Sequence, residues 1–193
     1  MLHNKYFWVL EQFLGNYNKQ IYGRELVGKI QLSQKAIALT LDELEKQGIL
    51  KSRRQANLKY FSLNIKNQEV AELLITTELI KKINFLKKHR KLANIFKQDN
   101  RIVGIFGSYA RGQETENSDV DLFIIGKKAK QDYNSIGKLF DVDISIKYFT
   151  EKQFNILIKE KNNLCREIIE NHVLIFGIEN FINTVWRDYY GFY

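Results

Sequence analysis

Two aspartates stand at the head of an apolar strand, and few folds can accommodate that arrangement. Ser118-Asp119-Val120-Asp121 runs directly into Leu122, Phe123, Ile124 and Ile125. A continuous apolar run of this length reads as a buried strand. Alternation with period two puts Asp119 and Asp121 on one face, about 6.5–7 Å apart along the strand. Two carboxylates beside a core strand are costly unless something neutralises them. A divalent cation does so. Magnesium suits, because it takes oxygen ligands and commonly bridges carboxylates to substrate phosphates.

Two further segments frame the pair. Residues 101–106, Arg-Ile-Val-Gly-Ile-Phe, form another apolar run that leaves through Gly107-Ser108. A glycine at a strand exit lets the backbone approach a ligand closely. A helix starting at Ser108 aims its free N–H groups at that spot and favours phosphate. Downstream, Asp141-Val142-Asp143-Ile144-Ser145-Ile146 reads as a third strand. Val142, Ile144 and Ile146 take one face and Asp141, Asp143 and Ser145 the other. A third carboxylate beside the first two completes a metal cluster. In a two-metal site the ions sit about 3.5–4 Å apart and clamp the attacking and leaving oxygens.

Read together, "GSYARGQETENSDVDLFII" resembles the Gly-Ser-x-Ala-Arg-Gly…Ser-Asp-x-Asp-Leu signature of minimal nucleotidyltransferases of the DNA polymerase β superfamily. "FDVDISI" resembles the setting of that family's third aspartate, and "CREIIENHVLIFGIENFI" the helix, short strand and glycine exit that close its domain. The resemblance covers about residues 95–185 and implies a small mixed sheet. It implies transfer of a nucleoside monophosphate from an NTP, ATP first, to an acceptor, with release of pyrophosphate. Asp119 and Asp121 then bind magnesium, as two ions, with manganese the alternative. Asp143 completes the site and helps activate the acceptor hydroxyl. Asp143 is preferred to Asp141 because it has apolar neighbours on both sides. Gly107 and Ser108 hold the triphosphate. Arg111 touches phosphate or nearby acids, or only fixes the helix. In so short a domain no insertion for templated synthesis is visible, which argues against a replicative polymerase.

The first third of the chain follows a different plan. Phe7, Leu10 and Leu14 recur at helical spacing, and residues 22–30 suggest a short second helix. Ser33 is a good N-cap for a third helix with Ile37, Leu41 and Leu44 on its buried face and Gly48 past its end. Ile49–Arg54 and Leu58–Leu63 read as a hairpin, with Asn57 tolerating left-handed geometry in the turn. "SQKAIALTLDELEKQGIL" and "KSRRQANLKYFSLN" resemble the recognition helix and wing of winged helix-turn-helix regulators. That resemblance implies nucleic-acid contacts from Gln34 and Lys35 on the helix and from Arg53, Arg54 and Lys59 near the wing tip. The helix face of Gln34, Lys35, Ala38, Leu39 and Asp42 has no arginine to read guanine, so a dimerising or structural role is the competing reading.

The expected architecture is thus mixed α+β. It comprises a winged helix-turn-helix at 1–65, a helical connector at 66–99 and an α/β nucleotidyltransferase domain at 100–193. Net charge is +8, divided as +6 over residues 1–66, +3 over 67–100 and −1 over 101–193. The basic first half favours a polyanion partner. In the connector, Leu79, Ile83, Leu86, Arg90 and Ala93 form a stripe expected to pack within the chain or, less favourably, on a second copy as a homodimer. The run Lys87-Lys88-His89-Arg90-Lys91 reads as a solvated face, with acceptor contact the rarer alternative. His3, His89 and His172 lack ligand spacing. Tyr189, Tyr190 and Tyr193 read as packing residues. The lone Cys165 leaves no intramolecular disulfide and fits a reducing cytoplasm. No run of about 18 apolar residues is present, and Met1–Phe13 reads as an amphipathic helix rather than a leader. The competing functional reading is an antitoxin or regulator, whose nucleotidyltransferase domain binds nucleotide or a partner toxin protein.

Overall fold

The computed structural model describes residues 4–129 and 132–192, so His3 and Tyr193 lie outside the described residues. The chain divides into two compact units, Met1–Thr77 and Glu78–Tyr193. None of the described helices is long and apolar enough to cross a membrane.

The first unit opens with α1 (Asn4–Leu10), a 3-10 turn at Glu11–Phe13 and β1 (Ile21–Tyr22). Then come α2 (Gln34–Lys46), β2 (Leu50–Gln55) and β3 (Leu58–Leu63). The Ser33 hydroxyl caps α2 by accepting from the Ala36 N–H at 3.3 Å. Ile37, Thr40, Leu41 and Leu44 form its buried face. Gly48, at φ +73°, ends it as the only residue type that adopts this conformation without strain. The strands make an antiparallel sheet in the order β1-β3-β2. Two expectations fail here. Residues 22–30 are not an α-helix: Tyr22 pairs with Tyr60 on β3, only a 3-10 turn follows at Gly23–Leu26, and Gly28 takes φ +81°. In the hairpin turn the left-handed residue is Ala56, at φ 52°, and not Asn57.

Helix α3 (Glu69–Lys88) runs across the division, and α4 (Arg90–Ile95) follows a break at His89. Of the expected stripe, Leu86 packs against the core but the residues before it do not. Leu79 and Ile83 are 43% and 50% exposed. The inward face instead carries Glu78, Lys81 and Phe85, near helical spacing. Glu78 meets the His172 ring at 2.9 Å, and the Lys81 amine donates to the His172 carbonyl at 2.6 Å. His172 is therefore structural, as its lack of ligand spacing implied.

The second unit continues with β4 (Ile102–Phe106), α5 (Gly107–Arg111), β5 (Val120–Ile125), α6 (Tyr133–Lys138) and β6 (Ile144–Phe149). It closes with α7 (Glu151–Lys159), α8 (Asn163–Glu170), β7 (Val173–Phe176) and α9 (Ile178–Thr184). Its sheet has the order β6-β5-β4-β7, with β5 parallel to β6 and the other pairs antiparallel. Such a sheet is mixed, and both faces are covered. Val103, Ile105, Leu122 and Ile124 pack with Leu92 and Ile95 of α4 and Tyr133 of α6. Phe123 turns the other way, to Phe106 and to Phe181 of α9. Gly104 lets that ring lie against β4: a Cβ there would sit 2.4 Å from Phe123. The third strand starts later than expected. Asp141 is in a turn at φ 53°, Asp143 precedes the strand, and β6 begins at Ile144. Burial pushes the Cys165 thiol up to about 11, so it stays a protonated core residue.

Entry into β4 is fixed by a buried ion pair. Asp99 accepts from Arg101 Nε at 2.9 Å, Arg101 Nη2 at 2.6 Å and the Tyr133 hydroxyl at 2.8 Å. Burial by itself raises the Asp99 carboxyl, but these donors outweigh it and the net direction is downward. A carboxyl held below its unfolded value of about 3.9 contributes stability that is complete at neutral pH and lost as pH falls through the folded value. Asp99→Ala strands the Arg101 guanidinium and should cost about 3–5 kcal/mol at pH 7. The deficit relative to wild type should shrink below about pH 4 as Asp99 itself protonates. Urea unfolding at pH 7 and at acid pH measures both.

Candidate active site

The site forms where β4 and β5 lie side by side. Their register pairs Phe106 with Asp121, so the residue after Phe106 meets the Asp121 side chain. That residue is Gly107, at φ +73°, and a Cβ there would stand 2.5 Å from Asp121 Oδ2. Glycine is required twice, by the backbone angle and by the carboxylate above it. Helix α5 is a single turn that ends at Gly112, at φ +66°. Ser108 is half-buried in its first turn. Arg111 pairs with Glu167 of α8, and its Nε donates to the Gln113 side chain at 3.2 Å. This contact ties α5 to α8 through a nearby acid.

The three aspartates gather at one end of adjacent strands. Asp119 is exposed just before β5, Val120 is buried, and Asp121 is half-buried on the same side as Asp119. Burial raises the Asp121 carboxyl, and the Asp119 charge raises it further, against smaller opposing effects of Lys147 and Arg111. The Val120 N–H donates to the Asp143 carbonyl at 2.8 Å, and Val120 is in register with Ile144. Asp143 is thereby placed one strand over from Asp119. Among the described residues no three acidic, histidine or cysteine side chains close into a metal-binding group. The donor chemistry nevertheless fits magnesium, which is usually held by one or two protein carboxylates with substrate phosphates completing its shell.

A cavity of about 580 Å³ opens beside Asp119 and Asp143. Asp141 and Tyr109 line it, as does the basic run 87–91. No local signal places the run here, because β4, α5 and their loops separate it from the aspartates. Gly107, Ser108 and Asp121 are not among the residues lining the cavity.

The residues singled out in the first unit do not form one basic patch. Gln34 and Lys35 are exposed in the first turn of α2. Arg54 and Lys59 are cross-strand partners and share a face, whereas Arg53 takes the other face and hydrogen-bonds Gln20 at 2.9 Å. The Lys59 amine lies between Asp42 at 2.9 Å and Glu45 at 2.7 Å. Those carboxylates, Glu45 first, raise its pKa. Its charge is therefore answered within the unit, and it ties β3 to α2.

Comparison with known proteins bears on the second unit. The profile of the family "Polymerase beta, Nucleotidyltransferase" matches residues 90–180. A protein of Methanocaldococcus jannaschii named as a protein adenylyltransferase is 32% identical over 98 residues, covering 46% of this chain and 73% of the relative. No solved structure matches the chain.

Two substitutions test the geometry. Gly107→Ala should cost about 1–3 kcal/mol through its positive φ alone, and more through collision with Asp121, measured by urea unfolding. Asp119→Asn should lower the Asp121 pKa by removing the neighbouring charge, read from the Asp121 carboxyl carbon in an NMR pH titration.

Proposed function

This chain belongs to the polymerase β nucleotidyltransferase family, and we propose that it transfers AMP from ATP to a hydroxyl group of a protein. It is a nucleotidyltransferase. The choice of ATP and of a protein acceptor draws on the name of the M. jannaschii relative. The observation that carries the reading is the packing of Asp121 over Gly107, where burial and then the charge of Asp119, just before the same strand, raise its pKa. Paired carboxylates that repel each other in a glycine-floored corner form a site waiting for positive charge.

In this reading Gly107 and Ser108 hold the triphosphate at the exit of β4. Backbone N–H groups face it there, and no side chain at 107 obstructs its approach. The acceptor oxygen attacks the α-phosphorus, the bond from that phosphorus to the β-phosphate bridge breaks, and pyrophosphate leaves. Asp143 takes the acceptor proton. Asp119, Asp121 and Asp143 would hold magnesium, as two ions, or manganese in its place, and the metal would supply positive charge to offset the negative charge of the triphosphate. Arg111, held by Glu167, keeps α5 aligned. The protein's share of catalysis is positioning and preorganised electrostatics.

For the rest of the chain we propose a winged helix at 1–65 joined by a connector at 66–99 to the catalytic domain at 100–193. Its nucleic-acid contacts fall to Gln34, Lys35, Arg53 and Arg54, with Lys59 bracing the hairpin against α2.

Calorimetry with ATP, GTP, CTP and UTP, with and without magnesium, tests the site. ATP should bind best, only with magnesium, and at least tenfold more weakly to the Asp119→Ala/Asp121→Ala variant, a loss typical of interactions with charged groups. A folded wild-type protein that binds no nucleotide would sink the enzymatic reading.

A further inference from the structure

The basic run 87–91 became part of the cavity only through the fold, and it gives that cavity a charge the reaction above does not use. The α3–α4 break makes this possible. His89 has φ −110° and ψ 68°, so the helix path turns and presents Lys87, Arg90 and Lys91 to the same cavity as Asp119 and Asp143. The turn is held from both sides. The His89 ring packs on Phe85 at 4.4 Å and on Tyr109 of α5 at 5.5 Å. Lys88 is paired with Glu114 at 2.8 Å. Burial holds the His89 imidazole below its usual range, favouring the neutral form near pH 7.

Three cations of the run remain. Lys87, Arg90 and Lys91 are exposed, and none has an ion-pair partner among the described residues. The acids lining the cavity are Glu116, Asp119, Asp141 and Asp143, of which the proposed reaction assigns Asp119 and Asp143 to magnesium. Once those two are so engaged, Glu116 and Asp141 answer two of the three cations and leave the wall with an excess of positive charge. An anionic substrate offsets it.

The lining residues say which substrate. Donor phosphates belong with Gly107 and Ser108, and neither lines this cavity. Asp143, the residue assigned to the acceptor proton, does line it. The cavity therefore lies on the acceptor side. Its two rings, His89 and Tyr109, pack edge to face on each other, which leaves no free aromatic platform for stacking unpaired bases. Lysine and arginine on a concave wall of about 580 Å³ suit side-chain carboxylates flanking a hydroxyl. We propose that this cavity is the acceptor subsite and that Lys87, Arg90 and Lys91 select a hydroxyl-bearing protein segment rich in Asp and Glu. The inference rests on the proposed AMP transfer, but its charge component can be measured without turnover.

The probe is a fluorescent random Glu–Tyr copolymer, with a Lys–Tyr copolymer and a single-stranded oligonucleotide bearing a free 3′-hydroxyl as comparisons. Binding is read by anisotropy with full-length protein and magnesium. The charge-reversal variant Lys87→Glu/Arg90→Glu/Lys91→Glu is set against Lys29→Glu/Lys46→Glu/Lys66→Glu, which makes the same charge change in the first unit. The Glu–Tyr copolymer should bind wild type at least tenfold more tightly than the Lys–Tyr copolymer, and less tightly as salt rises. The cavity variant should lose that preference and the control should keep it. With α-labelled ATP, transfer to the Glu–Tyr copolymer should show a raised KM in the cavity variant at nearly unchanged kcat. Equal loss in both variants, or no preference between the copolymers, overturns the inference. Tighter binding of the oligonucleotide, lost in the cavity variant alone, replaces acidic protein with nucleic acid as the acceptor. Charge-selective binding without label transfer upholds the subsite and overturns the proposed reaction.

Discussion

The close approach of the Asp121 carboxylate to Gly107 organises the second unit. It requires β4 and β5 to be antiparallel neighbours in the register that pairs Phe106 with Asp121. It requires residue 107 to lack a side chain and to take a positive φ. It also requires both strands to be held firmly, because a half-buried carboxylate beside another carboxylate is disfavoured by desolvation and repulsion together. The remainder of the unit supplies that rigidity. Apolar side chains cover one face of the sheet under α4 and α6, and the Phe106–Phe123–Phe181 contacts cover the other.

Buried polar groups set where the helices attach. Asp99, Arg101 and Tyr133 fix the residues entering β4, at the end of that strand remote from Gly107. Glu78 and His172 join α3 to the segment between α8 and β7. Removing one member of such a pair leaves the other buried and uncompensated, so each acts as a registration device with a large penalty for misplacement. Their effect on the active site is indirect but concrete. With α3 oriented by Glu78 and Lys81, its C-terminal end and the break at His89 arrive beside Tyr109 of α5.

Charge is arranged in the same economical way in both units. Lys59 lies between two acids of α2, Arg111 is paired to α8, and Lys88 is paired to Glu114. Each looks like a candidate anion contact in the sequence, and each joins two elements through an ion pair. Lys87, Arg90 and Lys91 are different because no ion pair absorbs them among the described residues.

What the sequence determined by itself were the features with short-range physical causes. The buried strands around 102–106 and 120–125 follow from uninterrupted apolar runs. The α2 cap follows from the Ser33 hydroxyl, and its end from Gly48. The glycine at 107 and the alternating aspartates at 119 and 121 were legible because strand geometry alone puts those carboxylates on one face. Membership of the nucleotidyltransferase family followed from the same motifs. Tertiary structure decided the rest. Residues 22–30 gave up a helix because Tyr22 could pair with Tyr60 on a strand nearly forty residues later. The buried face of α3 fell on Glu78 and Lys81 rather than Leu79 and Ile83, because a histidine 94 residues from Glu78 supplied its partner. In the basic run at 87–91, Lys87, Lys88, Arg90 and Lys91 are exposed as a solvated face would be, and they also form a cavity wall, because a one-residue break in a helix turned the run toward Asp119 and Asp143. Local sequence encodes which groups are available, and only long-range packing decides which of them meet.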